Sequence, residues 1–189
     1  MNNALNARLL AAVALMAALT AVGAWLRIPV PYVPLTLQMS FVYLSGVWLG
    51  ARYGALAQLV YISAGLMGFP IFAKGGGPHY VLEPSFGYII GFLPAAYAAG
   101  ILTRQTDAYA RYFVAAAAAL IMVYLPGVVW LHAVFHYVLG RETALTETLV
   151  LGLSPLPKDL VLIPLNAYLG KQIKSRIPFS SNGHSEHIA

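Results

Sequence analysis

"FPIFAKGGGPHYVLEPSFGYIIGF", residues 69–92, decides how the chain is to be read. One apolar run enters this stretch and another leaves it. Between them stand Lys74, the triplet Gly75-Gly76-Gly77, His79, Glu83 and the prolines Pro78 and Pro84. Glycines let a backbone bend sharply and bring its N–H groups close to a ligand. A glycine run can also be a plain flexible connector. Beside a membrane, irregular backbone is tolerated where it lines a cavity or is buried in protein.

The composition places this insert at a membrane. Of the 189 residues, 60% are hydrophobic and only 9% are charged, where a soluble domain carries about 25% charged residues. Helices apolar on every side belong in hydrocarbon, and at about 20 residues per crossing the chain has material for five to seven spans. That is one membrane domain, expected over residues 1–176, with no room for a second soluble one. There are no cysteines, which excludes disulfides, thiolate catalysis and Cys-ligated metals. The net charge of +5 comes from single charges scattered between apolar runs. It forms no basic stripe for nucleic acid.

Outward from the glycine insert, six spans follow. Residues 9–26 form span one, longer than the 7–15 apolar residues of a cleaved signal core. "RIPVPYVP" (27–34) cannot continue a helix, because its prolines remove donors and clash with preceding turns. Span two is expected at 35–50, span three at 54–72 and span four at 85–102. Span five, 112–139, is long and interrupted by Pro126-Gly127. Residues 140–157 connect it, with a short helix in the middle, to span six at 158–173. The polar tail 177–189 is expected to be disordered. Arg8, Arg52, Arg104, Arg111, Lys171, Lys174 and Arg176 fall on the side of the termini; only Arg27, Lys74, Arg141 and Lys158 fall on the other. The positive-inside bias puts both termini in the cytoplasm and the glycine insert outside.

On that outer face Lys74, Glu83, Ser85 and Tyr88 join Gln38, Trp130 and "PLPKD" (155–159), polar groups from three loops that can converge on one pocket between helices. In sequence order, "VPLTLQ" (33–38), "GLMGFPIFAKGGGPHYVLEPSFGYIIGF" (65–92) and "PLPKDLV" (155–161) resemble the BioY family. These are the biotin-specific substrate-binding (S) components of energy-coupling-factor (ECF) vitamin transporters. The likeness runs from about residue 14 to 170. The chain departs from the family pattern in two places. Ser85-Phe86 stands where a small residue and glycine are usual. Leu162 occupies the place of a lysine three residues after the aspartate, and Lys158 precedes Asp159 instead.

The resemblance implies an all-α bundle of six transmembrane helices that captures biotin from outside. It would sit as a multi-pass protein in the cell membrane of a bacterium or archaeon. Biotin is then the ligand, with no cofactor and no metal. An ionised aspartate accepts from the ureido N–H groups. Asp159 matches the family's aspartate, in the first turn of span six where the helix dipole favours an anion. Lys158 and Lys74 compete for the valerate carboxylate. Gly75, Gly76, Gly77, Gln38 and Ser85 join the site, and Tyr43, Tyr88 and Trp130 are candidates for its apolar slot. The chain has no GxxxxGK[ST] motif, so ATP hydrolysis falls to partners. Ala14 and Ala18, overlapped by Ala17 and Ala21, repeat small residues at i, i+4, as faces of close helix approach do. By the resemblance this face docks the transmembrane coupling protein (T component), which joins two cytosolic ATPases. On spacing alone it equally suits packing within the chain.

One motif points elsewhere. "HAVFH" sets His132 and His136 four apart on one helix face, as metal ligands can be, but lacks the glutamate of HExxH. With Glu147 these histidines make an intramembrane, metal-dependent enzyme the alternative to a transporter component.

Overall fold

The computed structural model describes residues 2–176; the tail at 177–189 lies outside them. The apolar runs become helices, and their buried side chains form one connected cluster. α1 (Asn2–Trp25) leads into a two-stranded ribbon, β1 (Arg27–Ile28) antiparallel to β2 (Leu35–Thr36), with Arg27 opposite Thr36. Then follow α2 (Gln38–Leu66), a 3-10 turn (Pro78–Leu82), α3 (Phe86–Ile90), α4 (Phe92–Leu102), α5 (Tyr109–Tyr137), α6 (Leu145–Gly152) and α7 (Leu156–Arg176).

The helical ladder of α2 hides a reversal. Gly50 takes φ 78° and ψ 172°, a region that side chains all but exclude, and the chain folds back there. Across the fold, the Gln38 amide donates to the Tyr61 hydroxyl at 2.7 Å. A Cβ on Gly54 would lie 2.6 Å from the Cα of Gly46. α2 is therefore an antiparallel pair of arms, 38–49 and 51–66, whose backbones touch. These arms take the place of the spans expected at 35–50 and 54–72. The limits move because residues 35–36 join the ribbon and because the chain leaves the helix at Gly68 (φ 111°). The expected fourth span is likewise broken, into α3 and α4, at Gly91. Span five is a continuous helix around Pro126.

α1, from Ala7 to Trp25, and α5 are each long and apolar enough to cross a membrane. α6 and α7, bent by 42° at their junction, qualify together as one broken span. The α2 arms and the α3–α4 pair are shorter and complete the six-rod bundle beside them. Polar contacts tie the rods together where no water can. Gln58, fully buried, donates to Ser45 at 3.0 Å and to Thr20 at 3.3 Å, joining both α2 arms to α1.

Both termini of the bundle lie at one end. There a Cβ on Gly100 would meet the Ala51 backbone at 2.2 Å, and the Lys174 ammonium donates to the Thr103 carbonyl. This is the end rich in arginine and lysine, the one the positive-inside bias expects in the cytoplasm. The ribbon, the glycine loop, α6 and the start of α7 gather at the opposite end. On α1, Ala17 is buried against the bundle and Ala21 is half-buried, whereas Ala14 and Ala18 are exposed. The small-residue repeat thus divides between an inner and an outer face.

Candidate ligand-binding site

At the outer end the bundle encloses a narrow cavity of about 530 Å³, counting its open mouth. Its roof is the ribbon, through Val33, Pro34 and Thr36; Met39, Ile89, Phe92 and Val123 supply apolar walls. Small-molecule sites pair such an apolar lining with a few placed polar groups.

The polar end is built around Asp159, which α7 holds in its first turn and which is only 6% exposed. Both its oxygens are occupied. The Tyr124 hydroxyl donates to Oδ2 at 2.6 Å, and the Lys158 ammonium donates to Oδ1 at 2.5 Å. A buried carboxylate needs such partners, because an unpaired charge away from water is costly. Lys158 also donates to the Thr36 carbonyl at 2.5 Å, which fastens the ribbon to α7.

Across the cavity, Gln38 accepts from the Thr36 hydroxyl at 3.1 Å while its amide donates to Tyr61. The hydroxyls of Tyr80 and Ser85 lie 3.5 Å apart. Burial, the largest influence, raises the pKa of the Tyr80 phenol, so it stays a protonated donor at neutral pH. Tyr88 lines the cavity with its ring, edge-on to Tyr124 at 5.5 Å, and spends its hydroxyl on the Gly152 carbonyl at 2.7 Å. Room for that ring comes from Gly127, where a Cβ would stand 2.5 Å from it. The Pro126-Gly127 pair that interrupts span five thus serves packing on the site.

Of the residues expected from sequence, Gln38, Ser85, Tyr88, Lys158 and Asp159 line the cavity, and the others do not. Tyr43 is fully buried toward the other end, its hydroxyl donating to the Tyr112 carbonyl at 3.1 Å. Trp130 donates its indole N–H to the Val81 carbonyl at 3.2 Å and packs on Phe86, bracing the outer loop from behind. Lys74 faces Glu83 at 3.0 Å in a half-exposed ion pair. Gly75 and Gly77 adopt φ of 123° and 107°, and a Cβ on Gly76 would strike the Phe69 carbonyl at 2.0 Å. The triplet folds the insert tightly against the end of α2, where the Gly77 N–H donates to Gly65. That fold presents Ala73, not the glycines, to the cavity.

Tyr124, Tyr80 and Thr36 were not singled out from the sequence. A tyrosine inside an apolar span must find a partner for its hydroxyl; that signal marks Tyr124 as a candidate without naming its partner. The two histidines are accounted for locally. His132 Nδ1 pairs with the Thr148 hydroxyl at 3.0 Å, and the His136 ring packs edge-on to Tyr137. Among the described residues no group of three or more His, Asp or Glu side chains is placed to hold a metal.

Known proteins resemble this chain in sequence and in fold. The family model described as "BioY family" matches residues 1–179. A Lysinibacillus sphaericus protein named "Probable biotin transporter BioY" is 39% identical over 164 residues, 85% of this chain and 84% of its own length. The Thermotoga maritima protein named "Biotin transporter BioY" is 41% identical over 120 residues, 63% of this chain and 71% of its own length. The crystal structure of an "S-component for biotin from an ECF-type ABC transporter" superposes with a TM-score of 0.78 over 93% of this chain and 95% of that one, at 24% identity. The last likeness establishes a common fold.

Proposed function

The chain belongs to the BioY family, and from that premise we propose that it captures biotin at the outer face of the membrane as the substrate-binding component of an ECF-type transporter. It is a transport protein, not an enzyme. The observation that carries the proposal is the enclosed outer cavity with a buried, doubly held carboxylate at its polar end. Asp159 keeps lone pairs beyond those used by Tyr124 and Lys158, since a carboxylate has about four acceptor sites. They suit the ureido N–H donors of biotin. The bicyclic ring then lies among Met39, Phe92 and the Tyr88 ring.

Uptake against a gradient needs energy, and the chain has no nucleotide-binding motif. The proposal therefore includes a transmembrane coupling protein and two cytosolic ATPases. The exposed Ala14–Ala18 face of α1 suits docking of the coupling protein, because small residues let helices approach closely in lipid. The membrane concerned is the plasma membrane. Titration of the purified full-length chain tests the capture step. Saturable, one-to-one binding of biotin is expected, with no chemical change in the recovered ligand and no competition from unrelated vitamins. Recovery of a modified ligand, or equal binding of an unrelated vitamin, would contradict it.

A further inference from the structure

Among the described residues, Lys158 is the only lysine, arginine or histidine lining the cavity, and it is already committed. Its ammonium sits 2.5 Å from Asp159 and 2.5 Å from the Thr36 carbonyl. An ammonium has three N–H donors, so one remains, directed from the position of the ion pair. Biotin's two polar ends cannot both reach that point. A staggered five-carbon valerate chain, with bonds of about 1.5 Å, holds the carboxylate several ångströms from the urea. A ligand whose ureido N–H meets Asp159 therefore brings its ureido carbonyl, not its carboxylate, to Lys158. A cyclic urea presents N–H and C=O side by side along one edge. The ion pair presents an acceptor and a donor side by side in return. Turning Lys158 away toward a distant carboxylate would break two bonds and strip a buried aspartate of its counter-charge, which is strongly unfavourable.

Building on the biotin reading, we infer that Lys158 and Asp159 together read the urea edge, that no cation of the site reads the ligand's carboxylate, and that carboxyl-amidated biotins are therefore ligands of this chain. Lys74, the other lysine near the insert, is outside the lining and paired with Glu83. An anion without a protein cation must stay hydrated, which sets the carboxylate at the open mouth.

The test compares biotin, its primary amide and its lysine ε-amide on the purified full-length chain. Both amides are expected within about threefold of biotin, since removing an unread charge changes little. Lys158→Gln should weaken biotin and the primary amide alike, by about tenfold or more, leaving their ratio unchanged. If biotin binds but the amides are weaker by tenfold or more, the carboxylate is read by charge and the inference fails while the biotin reading stands. A Lys158→Gln loss confined to the free acid overturns it equally. If biotin itself does not bind, the biotin reading fails and the inference with it.

Discussion

Asp159 and Tyr124 form the buried polar end of the cavity, and the proposed recognition of biotin turns on them. Replacing Asp159 by Asn keeps the shape but exchanges an acceptor oxygen for a donor and leaves Lys158 without its counter-charge. A hydrogen bond to a charged group is worth about 1.5–3 kcal/mol, so Asp159→Asn should weaken biotin at least about tenfold in an equilibrium titration. Tyr124→Phe removes the 2.6 Å bond to Oδ2 while keeping the ring that lines the cavity. It should cost less affinity than Asp159→Asn, because the carboxylate keeps Lys158; an equal or larger loss would make Tyr124 a ligand contact in its own right. At this scale the sequence was informative where residue chemistry and helix position coincide, as for Asp159 at the start of α7. It was silent where two distant elements must meet. Nothing in the chain order joins Tyr124 to Asp159 or Lys158 to Thr36, 122 residues apart. Aromatic character alone could not separate Tyr88, which lines the cavity, from Tyr43, which braces the opposite half.

Among the elements, α2 and the glycine loop hold the architecture. The apolar runs on either side of Ala51-Arg52 were legible as two spans because a charged residue interrupts them, and the structure turns the chain one residue earlier, at Gly50. Any side chain at φ 78° and ψ 172° is strained by about 1–3 kcal/mol, although a Cβ there would meet nothing. Gly50→Ala should therefore lower the thermal unfolding temperature of the detergent-purified protein while leaving its biotin affinity near that of the parent. An unchanged melting temperature would mean that the reversal tolerates other backbone conformations. The span limits were less legible, since residues 67–72 are as apolar as the helix before them. Gly68 at φ 111° and the tight loop at Gly75–Gly77 end it by geometry instead. The glycine triplet drew attention as a ligand cradle. Its observed work is to fold the insert so that Ala73 and Tyr80 face the cavity.

For the whole molecule, the outer cavity and the side of the bundle formed by α1 divide the labour. The outer end holds the cavity, and the proposed partners meet the α1 face through Ala14 and Ala18. Ala18→Trp puts a bulky ring on a face that must approach closely to dock. It should leave biotin binding by the isolated protein intact, while copurification with the coupling protein and ATP-dependent uptake are lost. Survival of both would leave this face without a docking role. The central claim, that the outer cavity is the biotin site, is tested most directly by a structure of this chain with biotin bound. The account predicts the ureido ring against Asp159 and Lys158, the bicycle beneath Val33 and Pro34, and the carboxylate at the water-filled mouth. Biotin seated anywhere else, or lying with its carboxylate on Lys158, would contradict it.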